Sequence, residues 1–206
     1  MDAALPIPDS QVRVAVRGLV RGQVQGVGFR PYVFRLATAC QLTGRVSNTS
    51  AGVLIELEGR EKDLARFREE VIGGLPAGVR IDSIAWESVV PSGRTSFVIE
   101  RNNVTGPLLT RIPQDRATCL ACVAEVFSLS NRRHEYPFTN CTACGPRYSI
   151  LHGMPYERPA TAMRNFAMCP PCTGEYRSAA DRRFHAEPNA CAECGPQVKL
   201  VDTANQ

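Results

Sequence analysis

A chain of 206 residues with 44% hydrophobic content is long enough for one large domain or two small ones. Its formal charge of +4 divides evenly: 13 Lys+Arg stand against 11 Asp+Glu in residues 1–106, and 11 against 9 in residues 107–206. Neither half has the basic excess that binding to a phosphate backbone demands. No hydrophobic run approaches the roughly 18 residues of a membrane span, and "MDAALPIPDS" has no apolar signal core. The chain is therefore expected to be cytoplasmic, where disulfides are disfavoured and paired cysteines more often bind metal.

Residues 12–100 hold most of the Val, Ile and Leu. From Val12 to Val20 the chain reads VRVAVRGLV, apolar at 12, 14 and 16, which predicts a strand with one wet face. "GQVQGVGFRPY" follows, and after it Phe29, Tyr32, Val33, Leu36, Ala37 and Cys40 repeat at helical spacing, with Pro31 tolerated in the first turn. "LTGRVSN" and "GVLIELEG" predict two strands joined by a tight turn, with Val53, Ile55 and Leu57 on one face. A second helix is expected from about Lys62 to Ile72, with Leu64, Phe67, Val71 and Ile72 inward, ending at Gly73-Gly74. "IDSIAWESVV" and "TSFVIE" complete a β-α-β-β-α-β order, which predicts an α+β ferredoxin-like sandwich of two helices on one face of an antiparallel sheet.

The glycine loop carries the chemistry. The backbone N–H groups of Gln25, Gly26, Val27, Gly28, Phe29 and Arg30, beside a helix N-terminus, would converge on an anion. The glycines let the backbone curl without Cβ clashes, and Arg30 in the first turn can fork two phosphate oxygens. A plain connection with a surface arginine is the alternative, and Asn48 alone would pass for a turn asparagine. Taken together, "GQVQGVGFR" and an asparagine 18 residues after Arg30 in "GRVSNTSAG" closely resemble the acylphosphatase signature, over residues 12–100. The resemblance implies that Arg30 binds phosphate and that Asn48 orients the attacking water. Such chemistry suits an acyl phosphate, whose carboxylate leaves without a strong general acid or a metal.

Residues 107–206 are rich in Cys, Pro and Arg and cannot build much of a core by themselves. Here Cys119-x₂-Cys122-x₁₈-Cys141-x₂-Cys144 recurs as Cys169-x₂-Cys172-x₁₈-Cys191-x₂-Cys194, offset by 50 residues. Glu125 matches Glu175, Arg132-Arg133 match Arg182-Arg183, and Gly145-Pro146 match Gly195-Pro196, so the unit is duplicated within the chain. Two CxxC knuckles about 20 residues apart supply four thiolates for a closed, structural zinc site, and two such ions are expected. Redox pairs or disulfides are the alternatives. Spacing leaves open whether ligation is sequential or interleaved between units; sequential is the simpler arrangement. Eight thiolates and two Zn²⁺ would move the charge of this half from +2 to −2, and the arginine pairs would offset local thiolate charge. His185, six residues before Cys191, is left as ligand, substrate contact or surface residue, with ligation the least favoured. His134 and His152 carry no signal, and Cys40 is expected to be a buried small hydrophobe.

An acylphosphatase domain over residues 10–103, followed over 107–200 by tandem zinc units at 117–150 and 167–200, resembles the amino-terminal portion of the HypF family of carbamoyltransferases, which mature [NiFe]-hydrogenases. "VQGVGFRP", "NCTACGPRYSI" and "DRRFHAEPNACAECGP" carry the resemblance. It implies carbamoyl phosphate as substrate, ATP-dependent activation in a downstream YrdC-like domain, and transfer to the C-terminal cysteine of a HypE partner, on the way to the cyanide ligand. Since that family is far longer, the chain is expected to be an N-terminal piece or a gene-model fragment. A zinc-finger interaction or nucleic-acid-binding protein with an inactive acylphosphatase domain is the rival reading; it predicts salt-sensitive binding and no hydrolysis.

Overall fold

β-branched and aliphatic residues alternating with arginine make the first strand, β1 (Val14–Gln23), which buries Val16 and Val20 and leaves Arg17 half-exposed. The computed structural model describes residues 12–100, 111 and 113–202. The domain limits expected at 10, 103 and 107, and the amino-terminal decapeptide, lie outside them. Val12 was expected to face inward, but it precedes the strand and is exposed.

Helix α1 (Phe29–Ala39) follows, then the hairpin β2 (Thr43–Thr49) and β3 (Gly52–Gly59), helix α2 (Glu61–Glu70), β4 (Arg80–Val89) and a short β5 (Phe97–Ile99). The sheet order is β4-β1-β3-β2-β5. Four strands pair antiparallel, as expected, but β5 departs from the expectation by lying parallel to β2, with Gly44 opposite Phe97. The return from the β4 edge to the opposite edge of the sheet, which is what gives β5 its direction, left no trace in its three-residue apolar pattern.

Val33 and Ala37 of α1 and Leu64 and Phe67 of α2 pack with Val16, Val20, Val46, Val53, Ile55 and Leu57 into one continuous core. Helix α2 stops at Glu70, so Val71 still reaches the core while Ile72 falls in the following turn and is 60% exposed, against the expectation that it faces inward. Cys40 is buried at the end of α1. The opposite sheet face is wet and carries a cross-strand ion ladder: Glu87 to Arg17, Arg17 to Glu56, Glu56 to Arg45 and Arg45 to Glu100, at 2.5–3.2 Å. Pairs this exposed add little stability, but they set charge against charge across four strands and the residue that follows β5.

The described residues divide into two compact units. The first contains those up to Pro113 together with Met154–Tyr156; the second contains Gln114–Gly153 and the residues from Glu157 onward. The return of three residues to the first unit was not visible in the sequence. The second unit has little regular structure: helix α3 (Leu120–Phe127), helix α4 (Pro170–Arg177) and short 3₁₀ turns between them. Cys119 and Cys169 sit at the two helix N-caps with the same extended backbone, so the duplication read from spacing is a duplication in space.

Candidate functional site

The glycine loop is pinned from below and open in its backbone. Val24, Val27 and Phe29 insert into the core of the first unit, while Gly26 and Gly28 take left-handed φ values of 67° and 77°. Gly26 is constrained twice. Besides its φ, a Cβ there would meet Pro113 Cγ at 2.6 Å and Tyr156 Cδ1 at 3.2 Å. Gly28 is the N-cap of α1, and no acidic side chain occupies the first turn, so no carboxylate of that turn offsets the positive end of the helix dipole. Arg30, on that turn, is buried with 8% exposure.

Asn48 projects from β2 and is 1% exposed. The hairpin turn comes after it, at Ser50-Ala51, so Asn48 holds a strand position and not the turn position its residue type alone suggests. Its Nδ2 donates to the carbonyl of Tyr156 at 3.2 Å. The N–H of Tyr156 donates to Oε1 of Gln25 at 3.2 Å, and Gln25 Nε2 donates to the carbonyls of Thr49 (2.8 Å) and Gly52 (3.0 Å). One hydrogen-bonded chain thus joins the glycine loop, the β2–β3 turn and Asn48 through Tyr156, all within the first unit. The side chain of Gln25 serves this frame, leaving its backbone N–H as its candidate contact with an anion. Nothing in "HGMPYERPA" announced Tyr156 as part of this site; a residue 108 positions from Asn48 has no spacing rule to reveal it.

In the second unit the eight cysteines form two sets, Cys119, Cys122, Cys141 and Cys144, and Cys169, Cys172, Cys191 and Cys194. The grouping is sequential, the four cysteines of each repeat closing on themselves. Neighbouring sulfurs stand 3.5–3.8 Å apart, far beyond a disulfide bond. Four sulfurs placed tetrahedrally at ~2.3 Å from one ion would be about 3.8 Å apart, so the cage fits zinc. His185 enters neither set. Its ring packs against Tyr176 and Phe184 at 4.8 and 4.7 Å, and its left-handed backbone (φ 53°) repeats that of Glu135 (φ 56°). It fills the duplicated turn position. His134 and His152 likewise lie outside both sets.

The arginine pairs, by contrast, are exchanged between repeats. Arg132 donates to Cys172 Sγ at 3.2 Å and Arg182 to Cys122 Sγ at 2.7 Å. Arg133, 2% exposed, forks Glu175 at 2.9 and 2.6 Å and donates to the carbonyl of Ala190; Arg183 forks Glu125 and donates to the carbonyl of Asn140. Each repeat therefore neutralises the other's thiolates. Burial pushes the Glu175 carboxyl up, but the Arg133 and Arg132 guanidiniums outweigh it and hold its pKa at about 2; Glu125 is depressed in the same way beside Arg183 and Arg182. These arginines are committed to thiolates and carboxylates, which leaves little of them for a nucleic-acid backbone. No helix among the described residues is long and apolar enough to cross a membrane.

Comparison with known proteins agrees with this division. A family model of acylphosphatases matches residues 16–99, and one of the HypF finger matches residues 118–151 and again 168–201. A carbamoyltransferase HypF of Rhizobium leguminosarum bv. viciae is 48% identical over 156 residues, covering 74% of this chain and 20% of that protein. An acylphosphatase of Thermotoga maritima is 40% identical over 87 residues, covering 42% of this chain and 96% of that protein. Among solved structures, full-length HypF in its phosphate- and nucleotide-bound form matches with a TM-score of 0.87 at 40% identity, over 93% of this chain and 26% of that one. HypF of T. kodakarensis matches at 0.79 and 43%, over 88% and 23%. The chain spans about a fifth of the length of the curated HypF relatives it matches.

Proposed function

This chain belongs to the acylphosphatases through its first unit; from that premise, and from the paired HypF fingers that follow it, we propose that it binds and hydrolyses a small acyl phosphate, carbamoyl phosphate, at the glycine loop. The observation that carries the reading is the loop itself: left-handed Gly26 and Gly28, the uncapped first turn of α1 with Arg30, and buried Asn48 share one hydrogen-bonded frame. In this reading the amides of residues 25–30 and the Arg30 guanidinium grip the phosphate and neutralise charge on its equatorial oxygens. Asn48 holds the water in line. The water oxygen bonds to phosphorus as the bond from phosphorus to the carboxylate oxygen breaks, and the electron pair leaves with the carboxylate, here carbamate. Both water protons end on phosphate oxygens. Positioning and charge stabilisation suffice because the leaving group is already a weak base.

Two zinc ions, one per cysteine set, would be structural: Cys119, Cys122, Cys141 and Cys144 would hold the first, Cys169, Cys172, Cys191 and Cys194 the second, and four thiolates leave no coordination position for substrate. The later steps belong to the longer family members. In them, activation by ATP and transfer to a HypE-type partner would use domains beyond the span matched here, with this portion supplying the acyl-phosphate site.

The test is turnover of carbamoyl phosphate by the purified chain, with zinc measured on the same sample; two zinc per chain is the expected content. Arg30→Ala is expected to lower the hydrolysis rate by ~10²–10³, the range for loss of one preorganised donor. Near-normal hydrolysis of benzoyl phosphate by that variant would defeat the assignment.

A further inference from the structure

Tyr156 lies between the two cysteine sets in sequence and inside the acyl-phosphate site in space. Asn48, Gln25 and Tyr156 are 1%, 1% and 2% exposed, so the bonds joining them are shielded from water. A backbone carbonyl can only accept a hydrogen bond. The carbonyl of Tyr156, 3.2 Å from the Asn48 carboxamide, therefore dictates that the NH₂ end faces it. Gln25 is held the same way round, because its NH₂ meets two carbonyls and its oxygen meets the Tyr156 N–H. The result is that Asn48 Oδ1 is buried with no partner among the described residues. A buried acceptor without a donor is uncommon and calls for an explanation.

We propose that Tyr156 is a positioning residue of the hydrolytic site, its main-chain carbonyl selecting the orientation of Asn48 that leaves Oδ1 free to accept from the attacking water. The inference rests on the acyl-phosphate reading and adds to it. A water that donates one O–H to Oδ1 keeps a lone pair for phosphorus. A carboxamide turned the other way would donate N–H to the same water, tying up one of its two lone pairs and making its oxygen a poorer nucleophile. An asparagine free to flip would divide its time between the two, and Tyr156 removes the unproductive one. The ring of Tyr156 against Gly26 locks the carbonyl to the loop, so phosphate contacts and water-orienting group are set in one frame.

The experiment compares the full chain with its Pro155→Gly/Tyr156→Gly form, which keeps every loop residue, Arg30 and Asn48 but releases the carbonyl. Carbamoyl phosphate turnover (kcat) is expected to fall about 10–100-fold, the scale of a small misplacement near the reacting atoms. The constant for competitive inhibition by inorganic phosphate should stay within about threefold, since Arg30 and every residue that carries a loop amide are retained and Val24, Val27 and Phe29 still anchor the loop in the core. Turnover equal to or above that of the parent chain overturns the inference, and so does a loss of phosphate inhibition in step with turnover, which marks a merely structural role. Nuclear magnetic resonance of the Asn48 side-chain amide gives a second readout: in the parent chain, one of its protons should exchange slowly and become fast in the variant. Fast exchange of both protons in the parent overturns the inference even if the variant does not fold. An inactive parent chain sinks the acyl-phosphate reading and this inference together; an active parent beside an unaffected variant sinks the inference alone.

Discussion

The two units solve the same problem with opposite materials. The first packs an apolar core between two helices and a five-stranded sheet, and most of its charges lie on the wet face, with Arg30 and Glu58 the buried exceptions. The second buries Arg133, Arg183, Thr139, Asn140, Asn189 and six of its eight cysteines, and its apolar clusters are small. A buried guanidinium needs acceptors around it, thiolates and carboxylates for Arg133 and backbone carbonyls for Arg147, so in the second unit a polar network stands where the first has its core. The contrast explains how a region too poor in aliphatic residues to fold by burial still holds defined positions.

Stripping the metal should separate the units most sharply. Structural four-thiolate zinc contributes on the order of 10 kcal/mol per site, so a strong chelator is expected to erase amide-exchange protection in residues 114–153 and 157–202 while β1 and β3 stay protected. Protection that survives in the second unit would mean its packing is self-sufficient. Arg133→Met tests the exchange between repeats. Removing one partner of a buried ion pair costs about 3–5 kcal/mol, and here Glu175 and Cys172 would be left exposed to the loss. Under mild chelation, alkylation should reach Cys169, Cys172, Cys191 and Cys194 before Cys119, Cys122, Cys141 and Cys144; the reverse order would refute the bracing drawn from the distances.

In the first unit, Ile55→Val should lower stability by about 0.5–1.5 kcal/mol, read by denaturant unfolding of the sheet, and leave the cysteine alkylation pattern unchanged. The smallest effect concerns acid. Burial pushes the Glu58 carboxyl up, but the Ser92 hydroxyl and the backbone N–H groups of Ser92, Gly93 and Arg94 more than offset it, so its folded pKa is depressed. A depressed carboxylate stabilises the fold above its unfolded value of about 4.3 and loses that contribution as pH falls through the folded value. Glu58→Gln should therefore unfold more easily than the parent at pH 6, with the two curves converging as pH drops below 4. Equal stability at both values would show that Glu58 contributes nothing.

Much of this architecture is legible in the residue pattern alone. Val53, Ile55 and Leu57 fall on one face because side chains alternate along a strand, and all three are fully buried. The cysteine sets are legible because two close knuckles within one repeat close a short loop, whose entropy cost is modest. The ends of elements are less so: Ile72 continues the apolar pattern of α2, yet the helix has already stopped at Glu70.

The sequence by itself determined what is local or periodic: the strands and helices of the first unit, the glycine loop before α1, and a duplicated ligand set with its acidic and basic companions. Only the tertiary structure decided which repeat's arginines serve which thiolates, the parallel placement of β5, and the return of Tyr156 to Asn48. Those contacts join residues 39 to 108 positions apart, and neither a residue's own neighbours nor a helical or strand period constrains what it meets at such distances. They arise when the chain closes on itself and each buried donor and acceptor must find a partner.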